Sequence, residues 1–170
     1  KEITFEDQTF VVEELTENSF ENIDVAFFSA GGGISKKFAP YAVQAGAVVI
    51  DNTSYFRMQE DVPLVVPEVN AEDLKWHKGI IANPNCSTIQ MVSALKRLDD
   101  EFGINRIIVS TYQAVSGAGV AGMRELHEQT KAVLNNETPV ADTLPCASDK
   151  KHYPIAFNCI PQIDLFDMDN

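Results

Sequence analysis

The stretch Gly79-Ile80-Ile81-Ala82-Asn83-Pro84-Asn85-Cys86 connects a short apolar run to an amphipathic pattern in this chain of 170 residues. Apolar residues then recur at positions 91, 94, 95 and 98, which is the spacing of one face of an α-helix. Asparagine is a favoured helix-capping residue, so we expect a helix that begins at Cys86, directly after Asn85. The apolar run before it has the length and the β-branched content of a buried strand. The stretch therefore predicts the junction between strand and helix that is typical of α/β folds.

The same alternation of strand and helix is predicted upstream of this junction. Strands are expected at Asp24–Phe28, Ala47–Ile50, Val62–Val66 and Gly79–Ala82. A helix is expected from about Ser35, after the first of these strands. The residues of its buried face are expected to be Phe38, Tyr41, Ala42 and Ala45. Buried strands that alternate with helices are typical of parallel sheets covered by helices, so we expect a Rossmann-like, mainly parallel sheet.

Loops that contain polar residues or glycine follow three of these strands, at Ser29–Gly33, Asp51–Arg57 and Asn83–Cys86. Ligands of open α/β sheets bind beyond the carboxyl ends of the strands, so we expect the three loops to converge on one cleft. Cys86 would lie there in the first turn of a helix, where free N–H groups and the helix dipole favour an anion such as a thiolate. The alternative, judged from position alone, is a small buried apolar residue.

The second half of the chain has a different pattern. Residues 105–114 alternate in polarity over a longer run than the earlier strands, as in a sheet with one face against another layer. A helix is expected from about Val120 to Leu134, followed by an irregular stretch, Asn135–Pro161, that contains four of the eight prolines. We place a domain boundary near Asn85.

Composition limits the classes of function. The chain has 13 basic and 25 acidic side chains and a formal net charge of −12, which argues against nucleic acid or an anionic membrane surface as a partner. No apolar run approaches the roughly 18 residues needed to span a bilayer. The three cysteines are an odd number without metal-ligand spacing. We therefore expect no metal site, no disulfide framework and a cytoplasmic location.

A dinucleotide-binding fold normally opens with a strand and a Gly-rich turn that binds the pyrophosphate. No such turn precedes the first predicted strand, and Gly31-Gly32-Gly33 lies in a different position. We therefore expect the chain to be an internal fragment of a longer enzyme, and to be inactive when it is made alone.

Five segments carry the most distinctive motifs of the chain: Ser29–Gly33, Asp51–Met58, Val65–Asn70, Asn83–Thr88 and Ser110–Gly119. In content and order they resemble the aspartate-semialdehyde dehydrogenase family, most closely its bacterial branch, over nearly the whole chain. The resemblance implies that residues 1–84 are part of an NADP-binding domain. It also implies that residues 85–170 are part of an α+β domain for catalysis and dimerisation.

This resemblance also implies a reaction, the NADP-dependent and reversible reductive dephosphorylation of aspartyl-4-phosphate to aspartate-4-semialdehyde. In the family this step belongs to the biosynthesis of lysine through diaminopimelate and of threonine, isoleucine and methionine. The implied assembly is a homodimer or a tetramer of dimers. A general-base histidine and an arginine for the substrate carboxylate would lie beyond residue 170.

The resemblance assigns catalytic roles to three residues. Cys86 matches the nucleophile, which would form a thioacyl intermediate, and Asn85 would help the Cys86 backbone N–H to stabilise the oxyanion. Gln113 matches the glutamine that orients the substrate near the thiol. Without the resemblance, Gln113 would be interpreted as a polar strand residue that faces a neighbouring sheet.

Arg57 matches the arginine that binds the phosphate of aspartyl phosphate or free phosphate, and Asn52 is expected in the same pocket. A guanidinium suits this role because it can form two parallel hydrogen bonds with a phosphate. The alternative is a surface arginine that pairs with Glu60 or Asp61.

Two glycine-containing loops match the cofactor-binding loops of the family. Ser29, Ala30 and Gly31 match the loop whose backbone approaches NADP, and Ser116, Gly117, Ala118 and Gly119 match the loop that packs near the nicotinamide. Glycine is useful in both loops because a backbone without side chains can come close to a ring or a diphosphate.

The remaining histidines and cysteines have no catalytic context. His77, His127 and His152 are interpreted as structural, and Cys146 and Cys159 have no motif that marks a nucleophile. Cys159 is expected to pack in the interior.

Two competing interpretations are open. N-acetyl-glutamyl-phosphate reductase performs the same chemistry on a homologous scaffold, but its cysteine stands in a context that resembles Asn-Pro-Gly-Cys-Tyr. A non-catalytic paralogue would tend to lose the nucleophile, whereas this chain keeps Cys86, Gln113 and Arg57 together.

Overall fold

The chain forms two compact units, Lys1–Ile108 and Val109–Asn170. The structure is a computed structural model that describes residues 1–145 and 150–163. The regular structure of these described residues consists of five β-strands, β1 to β5, four α-helices, α1 to α4, and two short 3₁₀ helices.

The first unit contains a parallel sheet of three strands in the order β3-β4-β5. These are β3 (Val25–Phe28), β4 (Val48–Asp51) and β5 (Ile80–Ala82). Each of them overlaps a stretch for which the sequence predicts a strand. The α/β class with a parallel sheet is therefore confirmed.

Helix α1 (Gly32–Gln44) packs on this sheet. The predicted buried face is confirmed for Phe38 and Ala42, which lie in the core shared with β3 and β4, while Tyr41 is half-buried. Ala45 is exposed, because it is already the C-cap residue of the helix. The helix also begins at Gly32 rather than near residue 35.

The strand predicted at Val62–Val66 is wrong. Leu64 makes only an isolated parallel bridge to Ala82 at the edge of β5. Pro63 has no N–H group to donate to a longer ladder, and the chain enters a short helix, α2 (Pro67–Asn70), directly afterwards. Prolines therefore limit the pairing of this apolar stretch to a single bridge.

An antiparallel hairpin, β1 (Glu2–Phe5) and β2 (Gln8–Val11), precedes the sheet and is not predicted from the sequence. Its turn residues Glu6 and Asp7 have φ values of 45° and 63°. Tight hairpin turns of this type usually contain asparagine or glycine. The usual turn signal is therefore missing from the sequence.

Helix α3 (Cys86–Phe102) begins at Cys86, as predicted, and ends before Gly103, which has a φ of 69°. None of its residues is buried, so the apolar face at positions 91, 94, 95 and 98 is at most partly covered. The strand predicted for residues 105–114 is wrong. A strand needs a hydrogen-bonded neighbour, and no other strand pairs with this stretch among the described residues.

In the second unit a 3₁₀ helix, Val115–Ala118, leads into α4 (Gly119–Leu134), which confirms the predicted helix. The described parts of the stretch from 135 to 161 contain neither helix nor strand, as predicted. No helix in the parts of the chain that the structure describes is long and apolar enough to cross a membrane.

One buried side chain of α4, Gln129, holds this irregular stretch against the helix. Its Nε2 donates to the carbonyl of Val140 at 2.7 Å, and its Oε1 accepts from the backbone N–H groups of Ile155 at 2.8 Å and Ala156 at 3.1 Å. Both ends of the buried amide are therefore satisfied by the backbone of a segment without secondary structure.

Gly79 precedes β5 with a φ of +99°, and a Cβ atom there would lie 2.5 Å from Cγ1 of Val43. Gly46 has a φ of +97°, but a Cβ atom there would meet nothing within 4 Å. We predict that Gly46→Ala lowers the free energy of unfolding by about 1–2 kcal/mol through backbone strain alone. Gly79→Ala should lower it by about 1–3 kcal/mol more, because the new methyl group overpacks the site.

Urea denaturation of both variants measures this difference. In a Val43→Ala background, Gly79→Ala should cost no more than Gly46→Ala does, since the clashing methyl groups are gone. Equal losses in the two single variants would show that Val43 does not confine Gly79.

Candidate active site

The first residues after the three parallel strands lie side by side. The strands pair with their carboxyl ends level, and Ser29, Asn52 and Asn83 directly follow β3, β4 and β5. Asn52 Nδ2 donates to Ser29 Oγ at 3.5 Å, and Asn83 Nδ2 donates to Asn52 Oδ1 at 2.6 Å. We call these three residues the polar row. The row brings the starts of the three predicted loops together at one edge of the sheet, and the predicted cleft stays a prediction.

Arg57 is held at the polar row by two backbone carbonyls. Its Nε donates to the carbonyl of Asn83 at 2.9 Å, and its Nη2 donates to the carbonyl of Asn52 at 3.2 Å. Within residues 1–145 and 150–163 no carboxylate forms an ion pair with it, so the alternative pairing with Glu60 or Asp61 is absent. No carboxylate of the described residues neutralises the half-buried guanidinium, and its remaining N–H groups can donate to an anion.

No role is predicted for Asn83 from the sequence, yet it is central to this arrangement. Its carbonyl positions Arg57, and its side chain orients the amide of Asn52. Its position in the sequence could have predicted this role, because Asn83 directly follows β5 just as Asn52 directly follows β4. Residues at equivalent places on neighbouring parallel strands are expected to meet.

Cys86 is the first residue of α3 and is exposed. Asn85 caps the helix as predicted, since its Oδ1 accepts from the backbone N–H groups of Ser87 at 2.9 Å and Thr88 at 3.4 Å. In this chain Cys86 is therefore not a buried apolar residue, and its catalytic role stays a prediction. The thiol lies at the positive end of the dipole of a 17-residue helix, which is a favourable place for a negative charge.

A short segment connects the arginine to the cysteine. Arg57 bonds to the carbonyl of Asn83, buried Pro84 follows, and then come Asn85 and Cys86. The restricted backbone of proline keeps this connection stiff. The guanidinium of Arg57 and the thiol of Cys86 are thus anchored at the two ends of one four-residue segment.

The loop of Ser29, Ala30 and Gly31 lies at the start of α1. Gly31, with a φ of 97°, is the N-cap residue, and no side chain caps the helix. A Cβ atom at Gly31 or at Gly33 would meet nothing within 4 Å, so the backbone is open to approach. Uncapped N–H groups at the start of a helix can donate to an anion, and the cofactor role of this loop stays a prediction.

The predicted site residues of the second unit are described separately. Gln113 is exposed and lies in a stretch without regular secondary structure. Ser116, Gly117 and Ala118 are in the 3₁₀ helix, and Gly119, with a φ of +71°, opens α4. A Cβ atom at Gly117 or Gly119 would meet nothing within 4 Å, so this loop also presents open backbone. The roles of these residues stay predictions.

The other histidines and cysteines include one correction. His77 is structural as predicted, since its Nδ1 accepts from the backbone N–H of Gly79 at 3.0 Å. Cys159 is exposed rather than packed, because it lies in the irregular stretch and not on an element that faces a core. Cys146 lies outside the described residues. No group of potential metal ligands is found among the residues that the structure describes.

The fold and the site together define a class, an α/β protein with a parallel sheet, an exposed cysteine at the start of a capped helix and an arginine held at the ends of the strands. Two family models match the chain. They are the semialdehyde dehydrogenase NAD binding domain over residues 1–77 and the semialdehyde dehydrogenase dimerisation domain over residues 95–170. The chain belongs to the semialdehyde dehydrogenase family. The domain boundary near Asn85 lies between the two matches and stays a prediction.

Individual relatives agree with this assignment. The aspartate-semialdehyde dehydrogenase of Bacillus subtilis is 58% identical over 164 residues, which cover 96% of this chain and 47% of the relative. That of Campylobacter jejuni is 56% identical over 177 residues, which cover 99% of this chain and 49% of the relative. The chain thus spans about half the length of these relatives. The family resemblance seen in the sequence is confirmed.

A solved structure agrees as well. The crystal structure of aspartate semialdehyde dehydrogenase II from Vibrio cholerae, complexed with ASA, matches with a TM-score of 0.88 and 49% sequence identity. The match covers 99% of this chain and 49% of that one.

Cys86 and Cys159 are both exposed, but Cys86 lies at a helix N-terminus and Cys159 does not. We predict that iodoacetamide modifies Cys86 first in the full-length protein, because a helix end stabilises the thiolate that attacks the reagent. Peptide mapping by mass spectrometry after a brief treatment gives the order of labelling. Faster modification of Cys159 or Cys146 would show that the helix end does not activate Cys86.

Proposed function

We propose that the full-length enzyme is an NADP-dependent aspartate-semialdehyde dehydrogenase that interconverts aspartyl-4-phosphate and aspartate-4-semialdehyde. The observation that carries this proposal is exposed Cys86 at the start of α3, on the segment whose Asn83 carbonyl holds Arg57. A phosphorylating oxidation of an aldehyde requires a nucleophile beside a group that binds phosphate. The names of the relatives in Bacillus subtilis and Campylobacter jejuni support the same reaction.

In the oxidative direction the Cys86 thiolate attacks the aldehyde carbon, a C–S bond forms, and the carbonyl oxygen becomes an oxyanion. Its hydrogen-bond donors are the backbone N–H of Cys86 and Nδ2 of Asn85, whose Oδ1 is already engaged by α3. Collapse of the oxyanion restores the C=O bond, expels hydride and leaves a thioester on Cys86. When bound, NADP supplies the acceptor for this hydride.

Phosphate then completes the reaction. One of its oxygens attacks the thioester carbon, the C–S bond breaks, and the thiolate leaves as aspartyl-4-phosphate forms. Arg57 binds the phosphate through the N–H groups that its two carbonyl partners leave unused, and Asn52 contributes to the same pocket. Cysteine suits both halves of the reaction because sulfur is polarisable and leaves easily as a thiolate.

Two loops and one further side chain complete the assignment. The open backbone at the start of α1 supports a role in NADP binding for Ser29, Ala30 and Gly31. The family resemblance alone assigns Ser116–Gly119 to the nicotinamide and Gln113 to orientation of the substrate. The match of the NAD binding domain model supports a nicotinamide dinucleotide, and the family resemblance supports NADP.

The resemblance also supports a place in the biosynthesis of lysine, threonine, isoleucine and methionine, in the cytoplasm. The match of the dimerisation domain model to residues 95–170 supports a homodimer, alone or as part of a tetramer of dimers. A net charge of −12 argues against nucleic acid or an anionic membrane as a partner, whereas a local arginine can still bind a small anionic substrate.

Two alternatives are disfavoured by specific residues. In an N-acetyl-glutamyl-phosphate reductase we would expect glycine before the nucleophile and tyrosine after it. This chain has Asn85 and Ser87 at those positions. A non-catalytic paralogue would have no need for a capped helix with an exposed cysteine at its first position.

We predict that the full-length enzyme reduces NADP in the presence of aspartate semialdehyde and phosphate, and does so far more slowly with N-acetylglutamate semialdehyde. Cys86→Ser should lower kcat by about 10³-fold or more, because the nucleophile is lost. The absorbance of NADPH measures the rate with each of the two semialdehydes and the rate of the Cys86→Ser variant.

Cys159→Ser is the matched control, since it removes another exposed thiol to which no catalytic role is assigned and should leave kcat unchanged. Faster turnover of N-acetylglutamate semialdehyde would establish the first alternative. No turnover of either substrate by the folded wild-type enzyme would favour the paralogue, and full activity in Cys86→Ser would remove Cys86 from the mechanism.

A further inference from the structure

A buried carboxylate, Asp51, directly precedes Asn52 of the polar row. Asp51 is the last residue of β4, and its side chain is fully buried. Its Oδ1 accepts from Ser35 Oγ at 2.7 Å and from the backbone N–H of Thr53 at 3.2 Å, and its Oδ2 accepts from Thr53 Oγ1 at 2.8 Å. Three donors therefore compensate a charge that would be costly to bury alone.

These residues stand out from the rest of the core. Four polar or charged side chains are buried in the part of the chain that the structure describes, and Ser35, Asp51 and Thr53 are three of them. The surrounding core cluster is apolar. Apolar side chains could join a helix to a sheet without a buried charge, so packing alone does not explain this group. We call these three residues the Asp51 triad.

The triad joins α1 to the loop 52–57. Ser35 belongs to the first turns of α1, and Thr53 belongs to the loop. The same two segments touch again nearby, because a Cβ atom at Gly32 would lie 3.4 Å from Cβ of Tyr55. The Nζ of Lys36 also lies 5.6 Å from the centre of the Tyr55 ring. The loop is therefore packed on the start of α1.

The triad restricts the backbone of Asn52 within this loop. Asn52 is exposed, but the residues on both sides of it, Asp51 and Thr53, are buried and bonded to each other. Thr53 Oγ1 also accepts from the backbone N–H of Tyr55 at 3.3 Å, which fixes the turn. The carbonyl of Asn52, which accepts from Arg57 Nη2, is thus fixed by the buried bonds of its neighbours.

We propose that the Asp51 triad is a positioning device for phosphate binding, which fixes the loop 52–57 so that Arg57 presents its unused N–H groups to the anion. The proposal deepens the proposed function and rests on it for the identity of the anion. Asp51, Ser35 and Thr53 do not touch phosphate themselves. They act through the carbonyl of Asn52 and through Arg57.

The test uses Thr53→Val in the full-length enzyme, with inorganic phosphate as the probe and a phosphorus NMR titration as the measurement of Kd. Valine has nearly the shape of threonine but removes the hydroxyl that bonds to Asp51 and Tyr55. We expect the Kd of phosphate to rise about five- to tenfold, because the guanidinium loses its fixed geometry. Thr53→Ser keeps the hydroxyl and should retain the wild-type Kd.

Two further variants separate positioning from general loosening of the structure. In an Arg57→Lys background, where the bidentate group is already lost, Thr53→Val should change the Kd no further. Ser35→Ala removes the bond from α1 and should raise the Kd in the same direction, which keeps the test available if Thr53→Val does not fold.

A wild-type Kd in the folded Thr53→Val and Ser35→Ala variants would overturn the proposal. The same fold-change with and without Arg57 would also overturn it, as would a wild-type enzyme that binds no phosphate. If phosphate binding responds as expected but the wild-type enzyme does not oxidise aspartate semialdehyde, the positioning role stands and the proposed reaction fails.

Discussion

The hydrogen bonds that hold β3, β4 and β5 in level register are the constraint on which this site depends. The three strands end level with one another. The first residues after neighbouring strands therefore lie side by side and form the polar row. A shift of one residue in β5 would reverse the faces of its side chains and move the Asn83 carbonyl away from Arg57. The backbone ladder of the sheet therefore sets the geometry of an arginine that lies in a loop.

The charge of Arg57 at this edge is opposite in sign to the net charge of the chain. The net charge is −12, yet Arg57 is held by neutral carbonyls and forms no ion pair within the described residues. The N-termini of α1 and α3 follow two strands of the same sheet and add the positive ends of two dipoles. Exposed charges further away than a Debye length, about 8 Å at physiological ionic strength, are largely screened, so the local field governs binding of a small anion.

The sequence predicts the parts of this fold where local signals agree with tertiary structure. The apolar runs that became β3 and β5 and the asparagine that caps α3 are of this kind. A strand forms only where another strand pairs with it. The strand prediction for residues 105–114 fails because they alternate in polarity like a strand but pair with no other strand among the described residues. The hairpin β1–β2 is missed because Glu6 and Asp7 take positive φ values without a glycine. Asn83 and Asp51 are missed because their roles come from register and burial, which no short motif encodes.

We propose that the guanidinium of Arg57, which forms no ion pair among the described residues, binds the phosphate. The measurement is a crystal structure of the full-length enzyme soaked in inorganic phosphate. We expect a phosphate with oxygens at hydrogen-bond distance from the Nη atoms of Arg57, while Nε keeps its bond to the Asn83 carbonyl. A phosphate bound elsewhere, with Arg57 turned to pair with a carboxylate, would contradict this assignment.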